Sequence, residues 1–66
     1  MALVKLIRLN EAFNENGEIH VNPLQLVAVI GEDTAPNVRV VTTGGSFDVA
    51  QPQGEGTTSV RAQLSA

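Results

Sequence analysis

The sequence predicts a mainly β protein: a small antiparallel sheet or partly open barrel of four to five strands, with one short C-terminal helix as an option. Three observations predict it. Two segments, 2–9 and 24–30, alternate in the period-2 manner of strands. The double glycine of VVTTGGSF sits between two runs of β-formers. Asn16-Gly17 and Asn22-Pro23 punctuate the chain where turns are needed.

With 66 residues the chain is read as one domain, 1–66. A domain of that size buries only about 60% of the surface its unfolded form exposes, so its stability is marginal. Small domains compensate with disulfides, metals or self-association. The chain has no cysteine, which excludes a disulfide framework and thiolate metal sites. Self-association is the expected remedy.

In the first segment Leu3, Lys5, Ile7 and Leu9 fall on one face and Ala2, Val4, Leu6 and Arg8 on the other. Both faces are mostly apolar, so this strand needs cover on two sides, from a C-terminal helix or from another subunit. Asn16-Gly17 then reads as a turn and Glu18-Ile19-His20-Val21 as a short strand returning towards the first. A tight two-residue turn there would oppose Glu15 to Glu18, a repulsive pair, which favours a looser connection. Asn22-Pro23 makes a corner, since Asn bonds to its local backbone and Pro fixes φ.

Residues 24–30, LQLVAVI, form a second two-sided strand, with Leu24, Leu26, Ala28 and Ile30 facing one way and Gln25, Val27 and Val29 the other. An acidic loop, 31–37, follows. A two-residue hairpin loop at Gly44-Gly45 would set Thr42 against Phe47 and Val40 against Val49, and would leave Arg39 and Asp48 as diagonal neighbours. On that register Val38, Val40, Thr42, Phe47 and Val49 share the core face. Residues 51–57 form a loop rich in Gly, Pro and Gln. The tail, TTSVRAQLSA, fits two readings: a helix capped by Thr57 or Thr58, with Val60 and Leu64 as its stripe, or a strand with Val60, Ala62 and Leu64 on one face.

The formal net charge is −3, and the four cations, Lys5, Arg8, Arg39 and Arg61, form no run. That balance argues against surfaces built for phosphates or anionic lipids. Phe13 and Phe47 are the two aromatic residues, too few for a nucleic-acid stacking platform. The N-terminal MALVKLIRLN lacks the order of a signal peptide and the length of a membrane span. A cytoplasmic protein is expected, with no membrane or nucleic-acid partner.

Candidate chemistry is sparse. His20 stands alone, without the second histidine or cysteine that a metal site needs. Ser46, Asp48 and His20 have the residue types of a hydrolase triad, but no strained nucleophile motif accompanies them. Glu32-Asp33 lacks calcium-loop spacing, and Gly44-Gly45 lacks the lysine and helix of a phosphate loop. No enzyme activity and no cofactor are expected.

Lys5-Leu6-Ile7-Arg8-Leu9-Asn10, then His20-Val21-Asn22-Pro23 with Leu24 and Val27, then Val38-Arg39-Val40 leading to Gly44-Gly45 and Phe47-Asp48-Val49, resemble the layout of small flagellar FlbD-like proteins. Short proteins of tailed phages look similar. The resemblance spans about residues 4–50 and implies a small β-rich bacterial or phage protein without catalytic residues. Between Asn10 and Asn22 this chain is longer than the family pattern, and it lacks the charged helical tail. The expected function is that of a non-enzymatic interaction or assembly protein acting as a homo-oligomer, with an unidentified protein partner. Its expected interface is Leu3, Val4, Leu6, Ile7, Leu9, Val27 and Val29. The alternative is a phage protein that sequesters a small ligand in a pocket between subunits, where amides at Gly31 or Gly54-Glu55-Gly56 face an anion.

Overall fold

The structure, a computed structural model, describes residues 3–65. Ala2 of the expected first strand and Ala66 of the tail lie outside the described residues. Strands β1 (Val4–Leu9), β2 (Glu15–Val21), β3 (Leu26–Ile30), β4 (Asn37–Thr42) and β5 (Gly45–Ala50) form one antiparallel sheet in the order β2-β1-β5-β4-β3. A 3₁₀ turn, Pro23–Gln25, precedes β3, and a helix, α1 (Val60–Ser65), ends the chain. The mainly β class and the short C-terminal helix are thus as the sequence predicts.

β2 and β3 are the two edges of this sheet and run in the same direction, yet five residue steps join Val21 to Leu26. In a flat sheet the edges would lie about 19 Å apart, with a strand's length added along their axes. Five steps that include a 3₁₀ turn reach less than about 17 Å. The sheet must therefore curl strongly, so that the end of β2 approaches the start of β3. The barrel stays open because the two edges are not paired with each other. Asn22 shapes the corner by accepting a hydrogen bond from Leu24 N at 3.0 Å, and Pro23, at the first turn, needs no donor there.

The concave side holds the core: Leu6, Val21, Val38, Val40 and Val49 from the sheet, closed by Val60 and Leu64 from α1. Val60 and Leu64 are one helical turn apart, so both reach the core from one face of α1. Burying each is worth about 1.5–3 kcal/mol. The helix reading of the tail holds, but its cap is Ser59, not Thr57 or Thr58. The Ser59 Oγ accepts from Ala62 N at 3.2 Å, and its carbonyl accepts from Gln63 N. The Thr57 hydroxyl instead donates to the carbonyl of Gly54.

Three local readings change. Asn16-Gly17 is not a turn: it lies inside β2, where Ile7 pairs with Glu18 and Leu9 with Glu15, leaving one extra residue on β2. Gly17, at φ +83°, supplies the left-handed conformation of that bulge. The chain reverses earlier, at Asn10–Asn14, where the Asn10 side-chain oxygen accepts from Ala12 N and Asn14 N and its carbonyl accepts from Phe13 N. This local competition for backbone donors is what Asn does best, and it leaves Phe13 at φ +61°.

The hairpin loop of β4 and β5 is Thr43-Gly44, one residue before the expected Gly44-Gly45, since Thr42 pairs with Gly45. The loop slides along both strands together, so each side chain keeps its face while its partner changes. Val40 now opposes Phe47, Val38 opposes Val49, and Arg39 opposes Asp48 directly. The Thr42 hydroxyl closes the loop by donating to Gly45 O at 3.0 Å and accepting from Gly44 N at 3.2 Å. Direct opposition converts a diagonal Arg39–Asp48 contact into a two-point ion pair, Nε to Oδ1 at 3.2 Å and Nη2 to Oδ2 at 3.5 Å.

β3 also departs from simple alternation. Leu26 pairs with Thr42 but Ala28 pairs with Val41, so Val27 is the extra residue of a bulge. The phase shifts there. Leu26 and Val29 pack on the core, while Val27 and Ile30 are exposed, whereas strict alternation groups Leu26 with Ile30 and Val27 with Val29.

Candidate functional site

The helix-bearing end of the sheet is sealed by one buried polar side chain. Gln51 is 3% exposed. Its amide nitrogen donates to the carbonyls of Glu32, Asp33 and Ala35 at 2.9, 2.9 and 3.1 Å, and its side-chain oxygen accepts from Val60 N at 3.0 Å. Its backbone N–H donates to Pro36 O. One side chain thus satisfies a first-turn N–H of α1 and ties that helix to the 31–36 loop.

Arg61 completes the seal. It pairs with Asp33 and donates from Nη2 to Val29 O at 3.2 Å and Gly31 O at 2.7 Å. A guanidinium cannot enter the ladder between β3 and β4, so these carbonyls are on the outer edge of β3. Arg61 therefore occupies the C-terminal part of that edge and leaves the Leu26–Ala28 part uncovered.

The two edges differ in kind. β2 carries Glu15, Glu18 and His20 and is kinked by the Gly17 bulge, which blunts it against further pairing. From Val21 to Gly31 there is no charged side chain, and along this stretch Leu24 is 76% and Val27 63% exposed. Ile30 is exposed as well. Extending the β1–β2 register by one position sets the exposed Leu3 opposite Asn22, beside the corner that carries Leu24. The result is an uncharged, apolar edge and corner.

The residues expected to form a subunit interface are thereby separated. Leu6 is a core residue, and Val4 and Val29 pack against that core from within the chain. Ile7 and Leu9 are half-buried. Leu3 and Val27 are the exposed members of the set. Leu24 and Ile30, which pattern reading placed among buried positions of a two-sided strand, join them; the 3₁₀ turn and the bulge at Val27 turn these side chains outward, and neither has a reliable sequence signal.

The opposite end is open. Two depressions meet at Phe47: one of about 320 Å³ bordered by Arg8, Leu9, Asn10, Asn16 and Ser46, the other of about 210 Å³ bordered by Ile19, His20, Gln25 and Thr42. Arg8 lies over the Phe47 ring, its guanidinium carbon 5.8 Å from the centroid. Phe47 is half-buried, packed against the core yet partly open. His20 borders one depression and Ser46 with Asp48 the other, and Asp48 is held by Arg39 rather than by His20. Of the acidic pair Glu32-Asp33, Asp33 serves Arg61. Among the described residues no group of three or more His, Cys, Asp or Glu side chains is placed to hold a metal ion, and no helix is long and apolar enough to cross a membrane. Comparison with protein-family models, curated proteins and solved structures finds no match to this chain.

Proposed function

We propose that the protein is a non-enzymatic interaction and assembly protein that works as a homo-oligomer in the cytoplasm. One observation carries the reading. The uncharged stretch from Val21 to Gly31 leaves Leu24 and Val27 exposed beside an uncovered segment of strand edge. A second copy suits such a surface because two uncharged edges meet without like-charge repulsion, whereas the chain as a whole carries −3. Burial of Leu24, Val27, Ile30 and Leu3 between copies also supplies the apolar area that a 66-residue chain lacks by itself. The resemblance of Lys5–Asn10 and His20–Pro23 to small flagellar and phage proteins supports a bacterial or phage setting, in which the oligomer presents its outer surface to a further protein.

Light scattering after size exclusion tests the reading. The wild-type chain is expected as a discrete multimer, and the double change Leu24→Asp with Val27→Asp is expected to give a folded monomer. A wild-type monomer at high micromolar concentration, or a multimer indifferent to both changes, would overturn it.

A further inference from the structure

We infer that the open end of the sheet, around Arg8 and Phe47, is a binding site for a small aromatic monocarboxylate. The site lies within one chain and is independent of self-association. Charge pairing is the first ground. The chain has four cations and seven carboxylate residues. Lys5 pairs with Glu18 at 3.2 Å, Arg39 with Asp48 at 3.2 Å, and Arg61 with Asp33. Among the described residues Arg8 is the cation with no carboxylate partner. It rests instead on the Phe47 ring, which orients the guanidinium and leaves its donor edge unspent.

The second ground is shape and donor chemistry. The depression of about 320 Å³ beside Arg8 falls at the small end of the range of ligand sites, about 300–1,000 Å³. Its floor is fixed by the sheet, since Arg8 is paired with Val49 across β1 and β5 and Phe47 with Val40 across β5 and β4. Asn10 uses its side-chain oxygen on Ala12 N and Asn14 N, so its amide nitrogen is the group left for a ligand. Arg8, Asn10 and Ser46 thus offer donors in a mostly polar lining, to which Leu9 and Phe47 add the smaller, apolar share. Donors bordering one depression beside a ring suit an oxyanion, held by a charge-assisted hydrogen bond, on a small flat body.

Charge count narrows the class. Glu11 and Asp48 also border the depression. Asp48 is neutralised by Arg39, but Glu11 has no ion-pair partner among the described residues. With one unpaired cation and one unpaired carboxylate among the described residues bordering the depression, a singly charged ligand is favoured over a phosphate monoester.

An amide-resolved NMR titration of the full chain with benzoate tests this, with phenyl phosphate, inorganic phosphate and benzyl alcohol as comparison probes. Benzoate should give saturable shifts at Arg8–Asn10 and Ser46–Asp48, binding more tightly than any of the other three. Arg8→Gln should keep the spectrum of a folded protein and weaken benzoate by about tenfold or more, as expected for the loss of a charge-assisted hydrogen bond. Absence of saturable shifts with benzoate, equal affinity in Arg8→Gln, or tighter binding of phenyl phosphate would each overturn the assignment.

Discussion

The two ends of the curled sheet are held by opposite means. At the helix end, Gln51 and Arg61 spend their hydrogen-bonding groups on backbone carbonyls and on one helix N–H, and Val60 and Leu64 fill the space beneath. At the Phe47 end, Arg8 has no carboxylate partner among the described residues and the nearby loop holds Phe13 57% exposed at φ +61°. One end is organised for stability. The other holds an exposed cation without a carboxylate partner among the described residues, a half-buried ring and an aromatic in left-handed backbone, the last of which costs stability.

That contrast can be broken by substitution. At about 0.05–0.15 kcal/mol per residue, a domain of this length has of order 3–10 kcal/mol in all. Leu64→Ala removes a buried side chain that α1 uses as its anchor, and should cost about 2–5 kcal/mol in urea unfolding. Such a loss is a large share of that total and unfolds the protein if the total lies at the lower end of the range.

Gln51→Leu keeps the volume but strands the Val60 N–H and the Asp33 carbonyl, while Glu32 O keeps Ala35 N and Ala35 O keeps Gln53 Nε2 as donors. A loss of about 2–3 kcal/mol is expected. Hydrogen exchange should show α1 and the 31–36 loop losing protection together, because one side chain connects them. Loss of protection in only one of the two would mean that the connection is weaker than its geometry implies.

Arg61→Ala should cost about 1 kcal/mol, since the side chain is partly exposed and its ion pair is screened. Its more telling effect is on association. Freeing Val29 O and Gly31 O lengthens the unoccupied edge of β3, so the variant should form larger or tighter assemblies in sedimentation velocity. Unchanged assembly would mean that the edge backbone takes no part in self-association.

At the open end the sign reverses. Phe13→Asn places a residue that tolerates the left-handed region where Phe is strained, and should raise the melting midpoint, a gain of about 0.5–1 kcal/mol. Smallest of all, Arg8→Gln should change stability by less than about 0.5 kcal/mol. A larger loss in calorimetry would make Arg8 part of the scaffold.

Little of this contrast was legible beforehand, and the reasons are particular. Arg8 is one of four scattered cations in the chain; only the tertiary structure shows that the other three meet carboxylates, Lys5 and Arg39 across strands and Arg61 from helix to loop. Gln51 sits in a Gly-, Pro- and Gln-rich loop segment, the least suggestive context for a buried hub, because three of its partners are backbone carbonyls with no side-chain signature. The sequence pattern places Leu6 at a subunit interface because a two-sided apolar strand needs cover on both faces. The six-residue helix supplies that cover from within the chain.

What the sequence by itself determined is the class of the fold and most of the faces. Period-2 alternation placed Val38, Val40, Phe47 and Val49 on one side of their hairpin whichever residues formed the loop, and the i, i+4 pair Val60 and Leu64 supplied a helical stripe. What only the tertiary structure decided is register and phase: the loop at Thr43-Gly44, the bulges at Gly17 and Val27, and the sharp curl joining β2 to β3. The physical reason is that side-chain direction follows from local backbone geometry, whereas sliding a hairpin by one residue on both strands leaves every face unchanged. Choosing between such registers falls to long-range contacts, among them the Arg39–Asp48 pair and the packing of Val40 against Phe47.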